Sequence, residues 1–176
     1  DLLFILLKLN VHISQCPFFR EVGMKKSCVI QVPCGKLKIT ATGTHIIRCD
    51  WVDDIVVPPS TLLLKKAVYQ INEYFNRERK IFELPLEMKG SAFEESVWNI
   101  IASIPYGKTV SYSEIARKIG NPNAVRAVGN ACGHNPISII VPCHRVTAKN
   151  NNGGYTGGIH LKYALWNIEQ IKGKGR

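Results

Sequence analysis

The chain has 176 residues, 45% of them hydrophobic, with 23 Lys+Arg against 13 Asp+Glu and a net charge of +10. That length holds one ordinary domain or two small ones around a folded core, and the charge favours a polyanionic partner, nucleic acid ahead of anionic membrane. The six cysteines include no Cys-x-x-Cys pair, which argues against a zinc ribbon.

The run Leu2–Leu7 is too short to cross a bilayer, and it lacks the basic leader and cleavage site of a signal peptide. The expected setting is the cytoplasm, or the nucleus of a eukaryote, where thiols stay reduced. Met24-Lys25-Lys26 reads as a natural start, so residues 1–23 are expected to be an upstream extension; a short docking strand or helix is the alternative. From Ser27 the pattern turns to strands. Lys36-Leu37-Lys38-Ile39-Thr40 alternates polar and apolar, Thr42-Gly43-Thr44 offers a turn, and Ile46–Val52 is a further strand. Pro58-Pro59 breaks the chain and Ser60 is a candidate cap. Leu64, Ala67, Val68, Ile71, Tyr74 and Phe75 then recur at helical spacing. Residues 24–88 read as a small α/β domain, with Glu87–Gly90 as connector.

Residues 89–171 read as a second, mostly helical domain. Ser91-Ala92-Phe93-Glu94 and Ser111-Tyr112-Ser113-Glu114 both have capping-box form. Phe93, Val97, Ile100, Ile101 and Ile104 make the stripe of the first helix, and Tyr112, Ile115, Ala116 and Ile119 share one face of the second. After the turn Gly120-Asn121-Pro122, Asn123 is expected to cap a third helix, Ala124–Cys132, which Gly133 ends. A last helix is expected over Ile159–Ile171, facing in through Leu161, Leu165 and Ile168, before the tail 172–176.

Two short capped helices around Gly-Asn-Pro have helix-turn-helix form. The second, Ala124–Ala131, offers one long side chain, Arg126, where a major-groove reader carries several. Its small residues suit close approach to a narrow groove, with Arg126 as a wedge or phosphate clamp. An ordinary hairpin, with Gly129 allowing tight helix packing, is the bland alternative. The thiol of Cys143 follows the strand-like run Ile137–Val141 and precedes His144 and the lid-like, glycine-rich 150–158. Neighbours in an extended segment face opposite ways, so Cys143 and His144 would need a sharp bend or a bridging water. His144 would need an orienting acceptor, for which Glu169 is the candidate; a solvated helix carboxylate is the alternative.

Residues 89–171 resemble the O6-alkylguanine-DNA alkyltransferases, the methylated-DNA–protein-cysteine methyltransferase family. The resemblance rests on Pro105-Tyr106-Gly107-Lys108-Thr109-Val110-Ser111-Tyr112, Gly120-Asn121-Pro122, Ala124–Ala131, Asn135-Pro136 and Pro142-Cys143-His144-Arg145-Val146. It extends to the lid Gly154-Tyr155-Thr156-Gly157-Gly158 and to Glu169. The first domain is similar more loosely, through Pro33–Leu37 and the hairpin after it. Ser138 stands where some relatives have proline, and Gly133-His134 where basic residues are common.

The resemblance implies an RNase H-like first domain and a winged-helix-like second one. It implies a single-turnover reaction in which the alkyl group of O6-alkylguanine, and of O4-alkylthymine, passes to Cys143 after the base is flipped from the duplex. His144 through water and Glu169 would generate the thiolate, and Asn135 would organise the cysteine loop. Tyr112 would assist flipping and donate toward guanine N3. Ser111, Tyr112, Arg126, Ala127 and Gly129 would face DNA, with Arg126 filling the gap left by the base. Tyr155 and Thr156 would close on the base, and the Val146 carbonyl would accept from its exocyclic amine. The expected partner is duplex DNA containing O6-alkylguanine, bound by a monomer without cofactor. The spacing of His12, Cys16, Cys28, Cys34, His45 and Cys49 does not match the zinc site of some relatives, so no metal is expected. A lesion binder without transfer activity, a helix-turn-helix regulator and a multiple-turnover cysteine hydrolase are the competing readings.

Overall fold

A computed structural model describes residues 24–173. The expected extension 1–23 and the last three residues of the tail lie outside them.

The first domain is built on a three-stranded antiparallel meander, β1 (Lys26–Val32), β2 (Gly35–Ala41) and β3 (Ile46–Val52). Alternation sets its faces: Leu37, Ile39 and Ala41 are buried, while Lys36, Lys38 and Thr40 between them are half-exposed. Helix α1 (Leu62–Phe75) covers the sheet with Leu64, Ala67, Ile71 and Tyr74. Its cap is Thr61, not the expected Ser60: Thr61 Oγ1 accepts from the Leu64 amide at 3.2 Å, while the chain before it is still extended behind Pro58-Pro59. Gln70 is also buried on this helix, and its amide brackets the Glu83 backbone at 2.8 and 3.3 Å.

The second domain begins with α2 (Ala92–Ala102), then β4 (Val110–Ser111), α3 (Tyr112–Lys118) and α4 (Val125–Gly133). Both expected capping boxes form. Glu94 and Glu114 each accept from the backbone amide of their cap serine, at 2.9 and 2.7 Å. Each cap contributes about 1 kcal/mol to its helix. Asn123 does not cap α4. The turn bonding the Ala124 amide to the Asn121 carbonyl runs straight into the helix, and Ala124 at its start makes no side-chain bond. Gly133 is the last residue of α4, and His134 caps it.

The run Ile137–Val141 is not the expected strand. Asn135 folds it into a compact loop, its Oδ1 accepting from the Ile137 amide at 3.1 Å and its Nδ2 donating to the Val141 carbonyl at 2.8 Å. Inside the loop, Ile139 takes φ 71°, a conformation a β-branched residue adopts only when its surroundings impose it. The loop is docked on the first domain: Cys49 on β3 donates to Pro136 O at 3.0 Å and accepts from Ser138 N at 2.9 Å. Next come a 3-10 turn, Cys143–Arg145, and β5 (Val146–Thr147), which pairs parallel to β4. The last helix, α5 (Ile159–Glu169), stops two residues short of the expected Ile171 because Gln170 turns left-handed at φ 57°. No helix of the described residues is long and apolar enough to cross a membrane.

Candidate active site

Cys143 opens the 3-10 turn at the end of the loop that Asn135 shapes. The same Asn135 Nδ2 reaches Cys143 Sγ at 3.1 Å, so one amide both folds the loop and touches its thiol. Cys143 is only 7% exposed. Burial raises its pKa, and the Asn135 bond and the Lys162 charge oppose that rise in part.

The turn removes the opposite-face problem that an extended Cys143-His144 would pose, since successive side chains of a 3-10 helix are about 120° apart. His144 is fully buried, with Nε2 2.7 Å from Glu169 Oε1 and its backbone carbonyl held by Trp166 Nε1 at 2.7 Å. Burial lowers its pKa, and the partial counter-effect of Glu169 leaves the ring neutral at pH 7. Burial alone would raise the Glu169 carboxyl, but His144 and Arg145 outweigh it and hold the pKa at about 2. Beside an ionised Glu169, His144 carries its proton on Nε2. Its Nδ1 is buried with no hydrogen-bond partner among the described residues, which leaves that nitrogen as the basic one.

Glu169 points inward, as a relay partner should. It accepts five hydrogen bonds: from Tyr74 Oη, His144 Nε2 and Arg145 Nη2 on Oε1, and from Arg145 Nε and the Gly107 amide on Oε2. Arg145 and Tyr74 were not legible as site residues, nor was Lys162. Lys162 is fully buried and donates to the carbonyls of Val146, Asn152 and Gly154 at 2.6, 2.6 and 3.0 Å, pinning the lid. Burial depresses its pKa to about 8. Its spacing with Trp166 and Glu169 on α5 was the available signal: a lysine in line with the buried face. The Val146 carbonyl, expected to meet a base, is already engaged by this lysine.

Two cavities meet at Cys143. One, of about 230 Å³, is lined by Tyr112, Gly129, Cys132, Tyr155 and Thr156. The other, of about 290 Å³, opens toward the first domain at Arg48, Asp50, Trp51 and Ser138. Tyr155 stands between them, its hydroxyl accepting from Trp51 Nε1 at 3.1 Å, and Thr156 Oγ1 latches the lid to Gly133 O at 3.1 Å. Tyr112 packs under the lid, where a Cβ at Gly153 would come within 3.0 Å of its hydroxyl. Arg126 and Ala127 are exposed on α4. Ser111 is buried and its hydroxyl is committed to Glu114 at 2.6 Å, so its part is to start α3 and aim Tyr112 rather than to touch DNA with its side chain.

Gly129 does not serve helix packing, because a Cβ there would meet nothing within 4 Å. Gly129→Ala should therefore stabilise α4 by up to about 1 kcal/mol. If this face lies against a groove, the same change weakens duplex binding. Thermal melting and a DNA titration check both halves, and unchanged DNA affinity would take Gly129 out of the interface.

Two family models cover nearly all described residues: the 6-O-methylguanine DNA methyltransferase ribonuclease-like domain over 26–88, and its DNA binding domain over 92–171. The chain is 45% identical over 145 residues to a probable methylated-DNA–protein-cysteine methyltransferase of Acanthamoeba polyphaga mimivirus, covering 81% of this chain and 95% of that one. It is 42% identical over 156 residues to the constitutive methylated-DNA–protein-cysteine methyltransferase of Bacillus subtilis, covering 82% and 94%. The crystal structure of Mycobacterium tuberculosis O6-methylguanine methyltransferase superposes with a TM-score of 0.76 at 40% identity, over 84% of this chain and 93% of that one. Mycobacterium tuberculosis OGT in complex with DNA gives 0.75 at 40% identity, over 81% and 91%. With both domains matched in order and the cysteine loop seated between them, the chain belongs to the methylated-DNA–protein-cysteine methyltransferases, DNA-repair proteins that move the alkyl group of a damaged base onto a cysteine of their own.

Proposed function

We propose that Cys143 is the acceptor and that Glu169, His144 and a bridging water make it a nucleophile. The observation that supports this best is the buried His144 ring, with Nε2 on Glu169 and an unpartnered Nδ1 one residue from the thiol. A buried thiol carries little thiolate and needs a base within reach. The thiol proton passes through the water to Nδ1, and Glu169 stabilises the resulting imidazolium.

The thiolate then attacks the alkyl carbon in line with its bond to guanine O6. The S–C bond forms, the C–O6 bond breaks, and its electron pair stays on the guanine. Tyr112 lines the cavity at Cys143, and burial raises its pKa, so its hydroxyl is protonated at neutral pH. It donates toward N3 of the departing base and offsets the charge arriving there. The base enters the cavity between Tyr112 and Tyr155, with Arg126 filling its place in the stack. O4-alkylthymine presents the same alkyl–oxygen bond and is a second substrate. The thioether is stable, so each chain reacts once.

Titration with an excess of duplex containing O6-methylguanine tests this reading. Repair should stop at one base per chain, and Cys143→Ala should abolish transfer while retaining DNA binding. Continued turnover would point to a hydrolase, and a fully active Cys143→Ala would move the acceptor elsewhere.

A further inference from the structure

Tyr74 belongs to the first domain, and its spacing on α1 with Leu64, Ala67 and Ile71 is that of a core residue. Its ring is core: it is fully buried and meets Phe75, Phe82 and Tyr106 at centroid distances of 5.4, 5.6 and 6.2 Å. A phenylalanine would fill that space equally well. The hydroxyl does something else. It crosses the domain boundary and donates to Glu169 Oε1 at 2.7 Å. That oxygen is the one facing His144 Nε2, also at 2.7 Å, with Arg145 Nη2 at 2.9 Å.

We infer that Tyr74 is a positioning residue for alkyl transfer, through which the first domain fixes the Glu169 carboxylate and tunes the basicity of His144. The inference rests on the proposed relay. A buried hydroxyl is costly unless bonded, and this one is bonded to the oxygen that sets the proton affinity of the imidazole. Burial first, and the facing Glu169 carboxylate next, push the phenol far above its ordinary pKa, so Tyr74 acts only as a donor. Each donor to Oε1 draws off charge that would otherwise stabilise imidazolium on His144. With the hydroxyl gone, Oε1 keeps two donors, its charge falls more fully on His144, and the ring protonates at higher pH. The other charged or titratable groups facing this pair are Arg145, Lys162, Tyr106 and Cys143, and Tyr74→Phe alters none of them.

The test is the single-turnover rate of transfer from free O6-benzylguanine to the full-length chain, followed across the titration range of histidine. Tyr74→Phe should move the acid limb of that profile upward by about half a unit to one unit, a fraction of what a hydrogen bond to a charged group is worth. Tyr106→Phe is the control. It also loses a tyrosine hydroxyl beside the pair, but that one stays within the second domain and donates to Ile168 O at 2.8 Å, not to Glu169, so its limb should stay in place. A fluorotyrosine at position 74 keeps the ring and is a stronger donor, so it should move the limb the opposite way even if Tyr74→Phe proves unstable. An unmoved limb in both Tyr74 variants, or an equal shift in Tyr106→Phe, overturns the inference. If His144→Gln leaves the wild-type limb in place, the relay itself fails, and that outcome is distinct.

Discussion

Glu169→Gln should slow alkyl transfer by about 10²-fold or more, the range a positioned acid–base partner supplies, and should cost about 3–5 kcal/mol of stability because it strands a buried charge. The charge is Arg145, only 5% exposed, whose Nε and Nη2 both bond the carboxylate at 2.9 Å. An amide can accept from part of this cluster, but its own N–H groups then face donors. The acid limb of stability carries the same information. Glu169 is held at about 2 against an ordinary 4.5, a depressed pKa, so its contribution is complete above about pH 4.5 and disappears as pH falls toward 2. A shift of that size corresponds to about 3 kcal/mol. Chemical denaturation at neutral and acid pH measures both: the wild type should lose this increment on acidification and Glu169→Gln should not. A variant as stable as wild type at neutral pH, or one that transfers at the wild-type rate, would remove Glu169 from the site.

Arg126→Ala should slow repair in duplex DNA by about 10–100-fold, since stabilising the gap left by a flipped base is worth a few kcal/mol. Transfer from free O6-benzylguanine should be nearly unchanged, because Arg126 is exposed on α4 while the relay residues His144 and Glu169 are buried. Tyr112→Phe separates the two roles. In the proposed mechanism its hydroxyl acts on the leaving guanine, so both substrates should slow. Measuring both variants on both substrates decides the assignment. Equal losses for Arg126→Ala on duplex and free base would mean that it is not the wedge.

What was legible in the sequence follows from how local each signal is. Alternation in Lys36–Thr40 and the two Ser-x-x-Glu boxes are set by neighbours within a few residues, and the strands and caps form where they point. That Glu169 turns inward was legible from its place beside an apolar face, and the motif singled out the cysteine that the structure sets at a cavity. The loop Ile137–Val141 was not legible, because a short, mostly apolar run reads alike as a strand or as a buried turn. What decides between them is the Asn135 side chain bonding both ends, together with docking on Cys49. Tyr74 and Lys162 were hidden for a related reason. Each sits where helical spacing calls for core, and only the three-dimensional fold brings a carboxylate to one and three carbonyls to the other. The motif singled out the thiol, whereas the Tyr74–Glu169 and His144–Glu169 bonds join residues far apart in the chain.

The central claim is that the alkyl group ends on one thiol, Cys143, among the five free cysteines of the described residues. Incubation with duplex DNA carrying isotopically labelled O6-methylguanine, followed by peptide mapping, tests it directly. The account predicts one labelled methyl per chain, all of it on the peptide holding Cys143, with unmodified guanine in the DNA. Label on Cys132, which lines the same cavity, or on any other residue would contradict it.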